Sequence, residues 1–140
     1  MSRRRAFAFV ELLVAMAVLA VLLAVAIPRT RAITDRSAVR NAACDARHTF
    51  GFAHRRAVIL GTHVAVWIDT GARTLVVGDA EGSMLTRALG AAYGVSLSST
   101  RDSMAYTPLG LGWGAANLTL VLRRGDAADT VTLSRLGRVK

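Results

Sequence analysis

The sequence predicts an α+β protein: one long N-terminal helix, apolar at first and then amphipathic, followed by an antiparallel β-domain. Three observations predict it. Residues Leu12 to Ile27 are apolar without a break. Beyond them, Val39, Ala43, Ala46, Phe50, Ala53, Ala57 and Leu60 recur at spacings of four and three, which is one face of a helix. From Thr62 the period falls to two, the alternation of a strand.

The chain has 140 residues, room for one modest domain. Its hydrophobic fraction of 53% is uneven, because nothing later resembles the N-terminal apolar run. The net charge is +9, carried by seventeen Arg and the single Lys140. Arg3, Arg4 and Arg5 precede the apolar run and would hold its start on the cytoplasmic side. From Arg29 onward there are fifteen positive and eight negative residues. A surplus of that size attracts polyanions or anionic surfaces over long range without selecting one of them.

Three readings account for Met1 to Pro28. A secretory signal has a basic start, an apolar stretch and a small-residue cut site, here Ala24-Val25-Ala26. A plain anchor is the second: Phe7 to Ile27 is 21 residues, about 31 Å of helix and enough to span a bilayer core. Both leave Glu11 unexplained, a carboxylate at the head of an apolar run. The third reading explains it. The stretch Ala6-Phe7-Ala8-Phe9-Val10-Glu11-Leu12-Leu13, with the apolar run ending in Ile27-Pro28, resembles the type IV prepilin signal. That resemblance implies cleavage between Ala6 and Phe7 by a prepilin peptidase, N-methylation of Phe7, and Glu11 as the fifth mature residue. Ala6 stands where the family usually has glycine. Placing the carboxylate near a bilayer costs roughly 2.5–3.5 kcal/mol, and a neighbouring subunit's terminal amine would neutralise it during assembly.

The remaining elements follow in order. Pro28 lacks an N–H and crowds the preceding turn, so it is expected to kink the helix. The alanine-rich stripe beyond it would let a sheet approach closely, while Arg36, Arg40, Arg47, His54 and Arg55 lie off it as a solvated face. Gly61 suits a helix stop. Residues Thr62 to Asp69 and Arg73 to Val77 read as a hairpin about Thr70-Gly71. Weaker strands are expected at Gly94 to Ser98 and Met104 to Thr107. Pro108 to Gly114 is a glycine-rich loop, and Leu118 to Arg123 with Thr130 to Ser134 forms a second hairpin about Gly125-Asp126. The expected divisions are 1–6 leader, 7–28 transmembrane half-helix, 29–61 periplasmic half-helix and 62–140 β-domain.

The candidate chemistry is sparse. Cys44 is the only cysteine, so no internal disulfide forms. Cys44 and His48 share a helix face but have no third ligand in view, and no metal or cofactor is expected. Gly110, Gly112 and Gly114 lack the following helix that a phosphate-cradling loop needs. His48, His54 and His63 have no triad spacing, and Ser98-Ser99 is not in a nucleophile-elbow context. Asp69, Asp79, Glu81, Asp102, Asp126 and Asp129 fall mainly at turns, where Asp is favoured for backbone reasons. No enzyme is expected.

Taken whole, the layout resembles the GspH/FimT family of minor pseudopilins and pilins. Besides the signal, the resemblance rests on Arg55-Arg56-Ala57 leading into Gly61-Thr62-His63-Val64, on Tyr106-Thr107-Pro108-Leu109-Gly110, and on the closing stretch Val131 to Lys140. It implies a single-pass inner-membrane subunit with its β-domain in the periplasm, assembled with other pseudopilins or pilins in a fibre. One implied role is in a type II secretion pseudopilus. The other is in a type IV pilus, where some members bind DNA through a C-terminal Gly-Arg-x-Arg motif. This chain ends Gly137-Arg138-Val139-Lys140, and Lys lacks the forked phosphate contact of Arg. Arg123, Arg124, Arg135, Arg138 and Lys140 are the DNA-binding candidates, expected to share a short stretch of surface if the last strands pair. From another class, a free periplasmic β-domain released by ordinary signal cleavage remains the alternative.

Overall fold

The structure is a computed structural model. It describes residues 3–114 and 117–140, leaving aside the side chains of 3–8 and 25–29. The chain divides into two compact units, Met1–Thr34 and Asp35–Lys140. Helix α1, Arg3–Leu60, belongs to both.

In the first unit every described side chain from Phe9 to Ala24 is exposed. Among the described residues no helix is long and apolar enough to cross a membrane. The span expected over 7–28 lies partly outside the described residues, since the side chains of Phe7, Ala8 and Val25 to Pro28 are not among them. The kink expected at Pro28 lies outside them for the same reason.

In the second unit the remainder of α1 buries the alanine-rich stripe. Val39, Ala42, Ala43, Ala46, Phe50, Ala53 and Ala57 are all buried. Thr49 is buried with them, and its hydroxyl donates to the Asp45 carbonyl at 2.8 Å, so it brings no unmet polar group into the core. Leu60 departs from the expected stripe and is exposed. It is the last helical residue, and Gly61 takes φ 64°, a left-handed conformation that ends the helix at little cost for glycine alone.

Two antiparallel sheets pack on that stripe. The first pair, β1 (Val64–Asp69) and β2 (Thr74–Asp79), is the expected hairpin, with Ala65 opposite Gly78 and Asp69 opposite Thr74. Its turn is tightened by Asp69, whose carboxylate accepts from the Ala72 N–H at 2.7 Å. Two elements follow that were not expected: strand β3 (Gly82–Arg87) and the short helix α2 (Leu89–Tyr93). The weaker strands are β4 (Ser96–Ser99) and β5 (Ser103–Tyr106). A two-residue strand, β6 (Gly112–Trp113), interrupts the glycine-rich loop. The last hairpin is β7 (Leu118–Arg124) with β8 (Ala127–Leu133), joined through Gly125-Asp126. The sheet orders are β3-β2-β1-β5-β6 and β4-β7-β8.

Both sheets turn their alternate apolar residues toward the helix stripe. Val64, Val66, Ile68, Leu75 and Val77 come from the first, and Leu118, Leu120, Leu122, Val131 and Leu133 from the second. Alanine on the helix lets these larger residues fill the space between the layers. The chain end then closes the outer edge of β8. The Thr132 N–H donates to the Lys140 carbonyl at 3.0 Å, and the Lys140 N–H donates back at 2.9 Å.

Candidate functional site

The N-terminal segment is one candidate region. Phe9, Val10, Leu12, Leu13, Val14, Met16, Val18, Leu19, Val21, Leu22 and Leu23 are each at least half exposed. They occupy every side of the helix. A helix apolar all round is stable only against lipid or other helices. Glu11 is the exposed charge within this surface, and among the described residues it forms no ion pair. The cleavage and methylation positions, Ala6 and Phe7, fall where side chains are not described.

The C-terminal cations are the second region, and the structure corrects the expectation that they crowd together. Arg123 and Arg124 end β7, opposite Ala128 and Ala127. Arg135, Arg138 and Lys140 lie beyond Leu133, which pairs with Leu118 at the other end of the same hairpin. Five residues of strand separate the groups, about 17 Å at about 3.4 Å each. Arg124 is also engaged: its Nε lies 2.9 Å from Asp35 Oδ1, and its Nη1 donates to the Tyr93 carbonyl. Pairing of the last strands spreads these charges along the hairpin. Arg138 and Lys140 do share the rim of an open groove of about 360 Å³ with Asn117, Thr119, Thr132 and Leu136.

Other candidates are absorbed by packing. His54 leaves the expected solvated face: it is half-buried, with its ring edge-on to Tyr106 at 5.5 Å between centroids. Gly137, at φ 76°, approaches the Gly110 carbonyl so closely that a Cβ would collide with it, and the same Cβ would meet His54. The two glycines thus let the closing turn seat against the helix. Tyr106 itself is fully buried, and its hydroxyl has no hydrogen-bond partner among the described residues. Burial pushes its phenol upward from the ordinary value. Arg47, also taken for solvated, reaches Asp129 at 3.7 Å and donates to the Thr130 carbonyl at 3.5 Å. Cys44 and His48 are exposed, and no group of metal-binding side chains occurs among the described residues. Asp79 serves its turn, accepting from the Glu81 N–H at 2.8 Å.

Comparison with known proteins bears on the N-terminal segment and on the fold. Residues 1–27 match the family model of the prokaryotic N-terminal methylation motif. No curated protein sequence matches the chain. Its fold matches the crystal structure of the type IV minor pilin FimU of Pseudomonas aeruginosa, with a TM-score of 0.65 at 14% identity over 75% of this chain and 88% of that one. The chain has a type IV pilin-like fold. The same fold also matches EpsH, the minor pseudopilin of the Type 2 Secretion System of Vibrio cholerae, with a TM-score of 0.59 at 16% identity over 73% of this chain and 94% of that one. The two neighbours in fold are a minor pilin and a minor pseudopilin. The architecture expected from the sequence, a long helix on an antiparallel β-domain, is therefore a known pilin-like one.

Proposed function

We propose that the chain is a minor pseudopilin of a type II secretion system, a structural subunit of a short periplasmic fibre that assists protein export. The observation that carries a fibre role is the N-terminal helix segment. It joins a methylation motif to a surface whose apolar side chains, on every side of the helix, are at least half exposed. In the membrane that surface would face lipid, and in a fibre it would face the same segment of neighbouring subunits. Glu11 would then accept the neighbour's N-methylated Phe7 amine, which offsets the cost of a carboxylate among apolar groups. The likeness to the pseudopilin EpsH supports the secretion assignment.

Intact-mass analysis of membrane-extracted protein tests the processing step. A mature chain beginning at N-methylated Phe7 is expected, and a terminus at Ile27 would overturn the fibre role in favour of a released β-domain. Glu11→Leu should leave insertion intact while abolishing crosslinks to neighbouring subunits.

A second role, as a FimT-like minor pilin in pilus biogenesis and DNA uptake, is favoured by the likeness to FimU. Deleting the gene separates the two. Lost exoprotein release with intact pili supports the secretion role, and the reverse supports the pilus role. For DNA, Arg138 and Lys140 are the better-placed cations, since Arg124 is held by Asp35 and Tyr93. Changing both to Ala should flatten the salt dependence of duplex binding, by about 0.9 in log–log slope for each phosphate that is no longer neutralised.

A further inference from the structure

Strand edges differ sharply in how they are finished. The outer edge of β8 is taken by the chain end at Thr132 and by Arg47 at Thr130. The Gly112 N–H of β6 donates to the Arg135 carbonyl at 3.1 Å. Strand β4 is only four residues long. Strand β3 has six residues, is paired on one side only, and all but Leu85 are exposed. A row of unpaired N–H and C=O groups of that length is a template for another strand.

Beside this edge lies an open groove of about 330 Å³ between β3 and helix α1. Leu85 and Phe52, both half-buried, form its apolar floor. Arg87 and Arg55 stand along its length. Arg87 is at the Asp45 end, 3.7 Å from that carboxylate. Arg55 is ten residues further along the helix, about 15 Å away. Alternate residues of a strand lie about 7 Å apart. Three successive inward side chains of an added strand would therefore reach from one arginine, across the apolar floor, to the other. Exposed His48 adds a further donor, and the one carboxylate in the groove, Asp45, already faces Arg87.

We propose that the outer edge of β3 receives an extended segment of another protein chain, whose inward side chains run acidic, apolar, acidic over the groove. Backbone hydrogen bonds to β3 hold the segment, and Arg55 and Arg87 select its charge. The surface is independent of the N-terminal determinants, so the proposal does not rest on the fibre role.

The test uses the full chain in detergent and three fluorescent heptapeptides. The first is Thr-Glu-Thr-Leu-Thr-Glu-Thr, the second has Lys for both Glu, and the third is the first with alternate backbone amides N-methylated. The acidic peptide should bind about tenfold more tightly than the basic one, with slowed hydrogen exchange at β3 amides. N-methylation should abolish both effects, and Arg55→Glu should reverse the charge preference. Equal binding of the two charge forms, or undiminished binding of the N-methylated form, would overturn the proposal. Concentration-dependent protection of β3 without any peptide would also overturn it, and would assign the edge to a second copy of this chain.

Discussion

The two ends of helix α1 differ in how their apolar side chains are buried. From Phe9 to Ala24 every described side chain is exposed although nearly all are apolar. From Val39 to Ala57 a narrow stripe of mostly small residues is fully covered by two sheets. Apolar content is therefore a poor guide to intramolecular burial in this molecule. The greasier stretch holds no part of the chain's own core, and the milder one forms a whole side of it. The difference follows from shape: the sheets need a flat, close-fitting face, which alanine provides, whereas lipid or neighbouring helices accept bulky residues on all sides.

Substitutions along α1 should reveal that contrast as a gradient in domain stability. Phe50→Ala should have the largest effect, because it opens a cavity in place of the largest buried side chain of the stripe. A loss of about 3–5 kcal/mol is expected in urea unfolding. Ala46→Trp tests the opposite fault, overpacking a fully buried alanine, and should lower stability by about 1–3 kcal/mol. No change in the melting temperature would mean that the stripe does not bear on the sheets as described.

Tyr106→Phe should act in the other direction. Its hydroxyl is buried without a partner among the described residues, so removing it should raise stability by about 1 kcal/mol. The same change should alter the alkaline limb. The folded phenol is raised above its ordinary value of 10.0, so the unfolded chain ionises first, and stability is lost as pH rises past that value. In Tyr106→Phe this loss should be smaller, as a pH series of melts would show. Smallest of all should be Leu19→Ala, at under about 0.5 kcal/mol of domain stability, despite removing a large apolar side chain. A drop comparable to that of Phe50→Ala would break the contrast between the two ends.

Legibility in the sequence followed the range of the interactions. Both hairpins were readable, since a short turn and a buried alternate face act over a few residues. Strand β3 was not, because alternation is visible only when one face is buried, and of Gly82 to Arg87 only Leu85 is even half-buried. Helix α2 is five residues long, too short for any periodic signal. At the N-terminus, the methylation motif was legible because Glu11 and the apolar run are adjacent in the chain. The dispersal of the basic residues was not, although the hairpin was foreseen. Register decides it: pairing Leu118 with Leu133 sends Arg123 and Arg135 to opposite ends of one strand pair.

The sequence by itself determined the order of the parts: a basic start, an apolar helix carrying one carboxylate, an alanine stripe, then strands. These are local properties, written in composition and period. Only the tertiary structure decided which helix faces are covered, that His54 seats against Tyr106 while Arg124 is held by Asp35 and Tyr93, and that β3 keeps an open edge. Each of those depends on residues far apart in the chain meeting in space. No window of sequence contains both partners of such a contact.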